Sequence, residues 1–358
     1  MTTADARSYH GADNLNSGAR QAALAEGHVT PVDRFFTRSH AEPPSVALAD
    51  WRLVVDGLVE RPLSLSFDAL QQFPRHEVIA TLLCAGLRRD ELLAVAPLPG
   101  ELPWGPEPAS TGRWSGVALR DVLHACGLSP DAAHLEFTGL DEVQRQGRTF
   151  GFGGSITRTK ALEPDVLLAI ELNGQPLTPA HGFPVRTLVP GWIGARSVKW
   201  LGRITAAANP SSNYFQTHAY RVQRESRADR PGDVTSGVAL SEITLNSVIL
   251  DPSPGQRVAA GPMVIRGWAI GTAACAITTV EYSTDDGANW RAATLESVRN
   301  RWSWTRWSAS VALPAGEYTL VVRASDDTGA SQPGDVSEAW NVKGYLNNAW
   351  HRVSVVAG

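Results

Sequence analysis

A chain of 358 residues is longer than one typical core fills and predicts two domains. With 43% hydrophobic and 19% charged residues its composition is that of an ordinary globular protein, and a formal net charge of −4 lacks the basic excess that nucleic acid or an anionic membrane would call for. No apolar run approaches the roughly 18 residues of a membrane helix, so no membrane span is expected.

The polar, Ala/Gly-rich opening predicts an extended arm over residues 1–45. It carries no charged segment followed by an apolar one and no twin arginine, so the chain as written is expected to be cytoplasmic, and a chain trimmed of its signal to be periplasmic. From Trp51 short β-prone runs begin: W-R-L-V-V-D-G-L-V, then Val78 to Leu83, then H-L-E-F-T-G from His134. They alternate with short helical stretches. S-F-D-A-L-Q-Q-F has a Ser cap at Ser66 and apolar residues at Phe67, Leu70 and Phe73, and V-A-L-R-D-V-L-H-A-C ends at Cys126 just before Gly127. Short strands and helices without a βαβ repeat predict an α+β domain over 46–225, and no glycine-rich phosphate loop supports a nucleotide cofactor.

The polar run from Arg224 to Gly237 reads as a linker. Beyond it lie strand-length, β-branched and aromatic segments: P-M-V-I-R-G-W-A-I, A-I-T-T-V-E-Y-S, W-S-W-T-R-W-S-A-S-V, G-E-Y-T-L-V-V-R-A-S and V-S-E-A-W-N-V. Turns such as D-D-G-A-N separate them, which predicts an all-β, immunoglobulin-like sandwich over 235–358.

The three cysteines are Cys84, Cys126 and Cys275, too widely spaced for a disulfide framework or a CxxC metal motif. Cys126, at a helix end, and Cys275, in an Ala/Thr-rich loop, read as structural. Cys84 differs. In T-L-L-C-A-G-L-R-R a β-prone run delivers it to a glycine turn, with Arg88 and Arg89 beyond, a setting that suits the thiolate form that binds metals. Lysine is rare, confined to Lys160, Lys199 and Lys343, which makes Lys199 in G-A-R-S-V-K-W conspicuous. H-G-F-P-V-R (His181 to Arg186), F-F-T-R-S-H (Phe35 to His40), S-T-G-R-W (Ser110 to Trp114), F-T-G-L-D (Phe137 to Asp141), L-N-G-Q-P-L (Leu172 to Leu177) and N-N-A-W-H-R-V (Asn347 to Val353) complete a set of eight segments. Taken in chain order, the set resembles the molybdopterin-binding and dimerisation domains of the sulfite oxidase family.

The resemblance implies a molybdenum atom held by a pterin dithiolene and by the thiolate of Cys84. A soft sulfur ligand suits a metal that shuttles between oxidation states. It further implies cofactor contacts from Arg38, His40, Asp141, His181, Arg186, Arg196, Ser197 and Lys199, since Arg forks and Lys point charges suit a phosphate. For a substrate pocket it implies Arg38, Arg89 and Arg352, with the aromatics Trp104 and Tyr220. The implied activity is two-electron oxo transfer oxidising sulfite to sulfate. Electrons then pass to a separate acceptor, a c-type cytochrome or oxygen, because the chain has no H-P-G-G or C-x-x-C-H haem segment. The second domain implies a homodimer.

Taken singly, these residues also have plainer readings. Cys84 reads as a small buried hydrophobe, His181 as a turn residue, Arg186 as a surface ion-pair partner, Arg352 as an edge-strand charge and Tyr220 as a linker aromatic. One departure stands out: Leu87 follows C-A-G where the family has Asn, which bears on substrate choice. The rival readings are a nitrate reductase-like or sulfoxide-reducing member of the superfamily, and a non-enzymatic scaffold with a degenerate site.

Overall fold

The computed structural model describes residues 7–11, 15–223, 227–229, 232–233, 236–272, 275–297 and 300–358. Two small sheets build the first domain. One has the order Gly153–Thr157, His134–Gly139, Leu201–Ala207, Leu53–Gly57, Leu63–Leu65; the other runs Gln175–Pro176, Leu167–Leu172, Ala109–Ala118, Arg75–Leu83, with Arg186–Leu188 also paired to Leu167–Leu172. Every pairing in them is antiparallel except that of Leu201–Ala207 with Leu53–Gly57. The helices are short, as their sequences predict. In Leu119–Cys126 the apolar residues Leu119, Val122, Leu123 and Cys126 recur with helical period, all buried, and Gly127 ends the helix at φ 68°. Cys126 is packed with its Sγ on the Leu123 carbonyl, a structural role.

The second domain is a two-sheet sandwich of the immunoglobulin-like kind. Asn246–Asp251, Gly261–Ile270, Thr305–Leu313 and Thr294–Leu295 face Arg257–Val258, His351–Ala357, Gly316–Asp326, Ile277–Ser283 and Arg291–Ala292. Ile249, Ile265, Trp307, Leu320, Val322, Val353 and Val355 fill the space between them. One expected strand is not one: Val336–Ala339 is a helical turn. Asp335 caps it and Glu338 reaches back to close a capping box, a local motif that overrides the β-branched pattern of V-S-E-A-W-N-V.

The N-terminal arm is built into the fold. Arg7–His10 pairs with Asn16–Ala19, and Ala19, Leu24, Phe35 and Phe36 are buried in two of the apolar clusters. The two domains are knitted together at the end of the Arg75–Leu83 strand. Thr81 accepts from the Trp304 amide at 2.8 Å and donates its own amide to Trp302 O, while Leu346 N donates to Ala85 O at 2.7 Å and Asn347 Nδ2 to Arg88 O at 2.8 Å. The segment before the last strand therefore clasps the turn that carries Cys84. No helix among the described residues is long and apolar enough to cross a membrane.

Candidate active site

Strand Arg75–Leu83 ends at Cys84, whose amide donates to Pro108 O at 2.9 Å and whose Sγ accepts the Gly86 amide at 3.4 Å. Gly86 is required there: a Cβ at that position would lie 2.7 Å from the Arg89 guanidinium, which crosses directly over it. Arg88, read from the sequence as part of an electropositive turn, is spent on structure. It takes a left-handed φ of 57°, is wholly buried, and grips both oxygens of Glu91 at 2.7 Å and Asn246 at 2.9 Å. Leu87 lies in the apolar cluster between the domains and lines neither side of the cleft described next.

Cys84 opens on a cleft of about 700 Å³, part of it open to solvent, whose walls bring together Arg38, His40, Cys84, Asp141, His181, Arg186, Ser197, Lys199 and Tyr220. Its inner end is cationic. Arg186 is buried and, among the described residues, donates only to carbonyls, His181 O at 3.1 Å, Ser197 O at 2.8 Å and Thr187 O at 3.4 Å, with its guanidinium 5.2 Å from the Trp114 ring centre. Lys199 Nζ donates to Ser39 Oγ at 2.6 Å and Ala180 O at 2.9 Å. Gly182, at φ 105°, lets these elements close, because a Cβ there would press on the Cβ atoms of both Arg186 and Lys199 at 3.1 Å. Burial first, and Arg186 second, hold the Lys199 amine well below its usual range, and burial pulls Arg186 down to about 9. The one carboxyl in these walls, Asp141, accepts the Phe152 amide at 2.9 Å and is itself pushed up by burial. Among the described residues neither buried cation has an ion-pair partner within 4.0 Å.

At the outer end Tyr220 and His40 are coupled, with His40 Nε2 2.9 Å from the Tyr220 hydroxyl and His40 Nδ1 3.4 Å from Arg38 Nη2. An arginine can only donate, so Nδ1 accepts and Nε2 carries the proton. His40 then donates to Tyr220, leaving the phenolic hydrogen free to point into the cleft. Burial, then the Arg38 charge, keep His40 neutral, and burial pushes Tyr220 up to about 12, so the phenol stays protonated. The arm sets Arg38: Asn16 Oδ1 accepts from its Nη1 at 3.0 Å and from the Ser39 amide at 3.1 Å.

The cleft widens into a mouth of about 760 Å³ that shares Arg38, His40, Cys84 and Tyr220 with it and adds Arg89, Glu101, Arg145, Lys343 and Tyr345. Three expected residues are not brought to either space. Arg352 follows the two-residue alternation of its strand, which turns His351 inward and Arg352 out; it pairs with Asp286 at 3.0 Å and donates to Gly334 O. Trp104 is fully buried, its ring tilted against His10 with 4.3 Å between ring centres, and Arg196 is buried as well, donating to Leu240 O and Phe215 O. The second-domain cation that does reach the mouth is Lys343, with Tyr345 stacked on Tyr220 at 5.5 Å. The rarity of lysine in the chain was the available signal for Lys343. Lys343→Met is expected to raise the KM for an anionic substrate about tenfold, and Arg352→Met to change it less than about twofold, as steady-state kinetics would read.

Two family models match this chain: an oxidoreductase molybdopterin-binding domain over residues 40–215 and a Mo-co oxidoreductase dimerisation domain over 238–357. Chicken sulfite oxidase is 39% identical over 340 residues, covering 92% of this chain and 73% of that protein. The chain belongs to the sulfite oxidase family. Human mitochondrial sulfite oxidase is 40% identical over 343 residues, and the match covers 93% of this chain but 62% of the human protein. Among solved structures, the sulfane dehydrogenase SoxCD from Paracoccus pantotrophus superposes with a TM-score of 0.82 at 30% identity, over 95% of this chain and 84% of that one.

The buried histidines of this family member make a prediction about stability. Burial is the first cause that pushes His181 and His351 down to about 3, and His40 falls in the same direction. In the unfolded chain each titrates at about 6.5, so as pH falls below that value the unfolded state binds protons that the folded state refuses. The histidines' contribution is therefore complete above pH 6.5 and erodes toward pH 3, by about 1.4 kcal/mol per pH unit for each group. Urea unfolding of the cofactor-free protein should show stability falling between pH 6.5 and 5.5; a flat or rising profile would contradict these assignments.

Proposed function

We propose that this protein is a molybdenum–pterin oxidoreductase that oxidises sulfite to sulfate, works as a homodimer through its second domain, and hands electrons to a separate acceptor, a c-type cytochrome or oxygen. One observation carries the reading: a thiol, two buried cations with no carboxylate within 4.0 Å among the described residues, and a protonated tyrosine face one cleft. Asp141 offsets the Lys199 charge only in part, and burying positive charge without full compensation costs several kcal/mol, so the Arg186 and Lys199 end calls for an anion. The phosphate and polar edges of a pterin cofactor fit that demand, with Asp141, His181 and Ser197 as further polar contacts. Among the described residues no group of three or more His, Cys, Asp and Glu side chains is placed to hold a bare ion, so Cys84 suits a metal that arrives with its other ligands. When bound, that cofactor supplies the two-electron oxygen-atom transfer.

The remaining work belongs to this chain's own side chains. Arg38, Arg89, Arg145 and Lys343, set against the single carboxylate Glu101 among the described residues, leave the mouth net positive, a field that draws a small oxyanion toward Cys84. Tyr220, its oxygen held by His40, offers a hydrogen bond directed into the cleft and stays neutral across the physiological range. Tyr345 and Lys343 wall the mouth from the second domain, with Tyr345 packed against Arg89 of the first, so the site is complete only when both domains are docked. The test is direct: protein loaded with cofactor and given sulfite should reduce ferricyanide in step with sulfate formed. Loaded protein that leaves sulfite unchanged would refute the sulfite assignment.

A further inference from the structure

The mouth holds a carboxylate where an anionic substrate would be expected to sit. Glu101 divides its two oxygens between cations from different domains: Oε1 lies 2.9 Å from Lys343 Nζ and Oε2 3.3 Å from Arg89 Nη2. It is only 16% exposed, and it is the one acidic side chain lining the mouth among the described residues. Arg89 has little left to offer. Its Nε donates to Lys343 O and Gly344 O and its Nη1 to Leu102 O, so Glu101 completes its coordination. Arg38, by contrast, contacts no carboxylate among the described residues; its partners there are Asn16, Ser39 O and His40.

We propose that Glu101 is a specificity-determining residue, a built-in anion that occupies the cation pair Arg89–Lys343 and sets the charge class of the substrate. A compact divalent oxyanion must displace the carboxylate or bind against its charge. A sulfur substrate bearing at most one negative charge meets Arg38 and leaves the Glu101 triad intact. Like charges brought into one partly buried mouth oppose each other, which makes Glu101 a device against divalent anions and not a neutral bystander. The inference rests on the oxidoreductase reading of the same site.

Sulfate binding to cofactor-loaded protein, measured by calorimetry, tests the charge effect apart from turnover. Glu101→Gln should bind sulfate at least about tenfold tighter than the parent, roughly 1.4 kcal/mol. Glu101→Asp, which keeps the charge, should stay within about threefold. The KM for sulfite should fall with the sulfate affinity in the Gln variant while kcat changes little. If Glu101→Gln does not fold, Glu101→Ala makes the same charge change. Sulfate affinity that is unchanged or weaker on removing the charge overturns the proposal. Tighter sulfate binding without sulfite turnover in either protein would keep Glu101's role and refute the sulfite reading instead; turnover with unmoved sulfate affinity would do the reverse.

Discussion

Replacing Cys84 by serine should abolish turnover while leaving the fold, and most of the bound pterin, in place. The fold should survive because the position is local in its demands. The Cys84 amide bonds to Pro108 O whatever the side chain, and a hydroxyl can accept the Gly86 amide as the sulfur does. The pterin should stay because Arg186, Lys199 and Ser197 lie in other elements of the cleft. What is lost is the soft, anionic ligand. A serine hydroxyl stays protonated at neutral pH and is a hard donor, so the metal loses the covalency that tunes its potential. Turnover should fall by at least roughly three orders of magnitude, about 4 kcal/mol in the barrier. X-ray absorption at the molybdenum edge should report one sulfur ligand fewer. Activity within about tenfold of the parent would remove Cys84 from the metal.

The second large effect is expected at Lys199, and its sign in the empty protein is opposite to intuition. Lys199 is held by two neutral oxygens, with burial and Arg186 both working against its charge. Its folded pKa lies below the unfolded value near 10.5, so the unfolded chain binds the proton more readily and the charge subtracts from stability at neutral pH. Lys199→Met should therefore leave the cofactor-free protein at least as stable as the parent near pH 7. Any advantage should shrink as pH rises toward 10.5. The same substitution should lower cofactor content at least about tenfold, because the anion loses its point charge at the buried end. Thermal unfolding of the empty protein and pterin released after heating separate the two effects. A destabilised empty protein with normal cofactor content would show that Lys199 serves the fold.

The chain's segments foretold much of this site because each motif carries a local reason for its residues. C-A-G must have glycine where Arg89 crosses it, and H-G-F-P-V-R must have Gly182 where two cation-bearing elements meet. The alternating apolar residues of the second domain likewise marked its strands. Three things were not legible. Strand register decides which way a side chain points, so Arg352 could not be told from an inward residue until His351 was seen to take the inner face. Partners distant in sequence decide whether a buried arginine serves function or structure; Arg88 is claimed by Asn246 as well as by nearby Glu91, and Arg196 by the carbonyls of Phe215 and Leu240. Irregular segments carry no periodicity, which hid Lys343, Tyr345 and Glu101. The arm, expected from the sequence only to be extended, is a positioning element because Asn16 holds Arg38.

The central claim is that this cleft holds a molybdenum–pterin group through Cys84 and the buried cations. Elemental analysis of protein purified from a host that makes the cofactor, with released pterin measured on the same sample, tests it most directly. The account predicts molybdenum and pterin in near-equal amounts approaching one of each per chain, about the occupancy of a single site of this volume and charge. Protein that is folded, made in such a host, and free of both would contradict it.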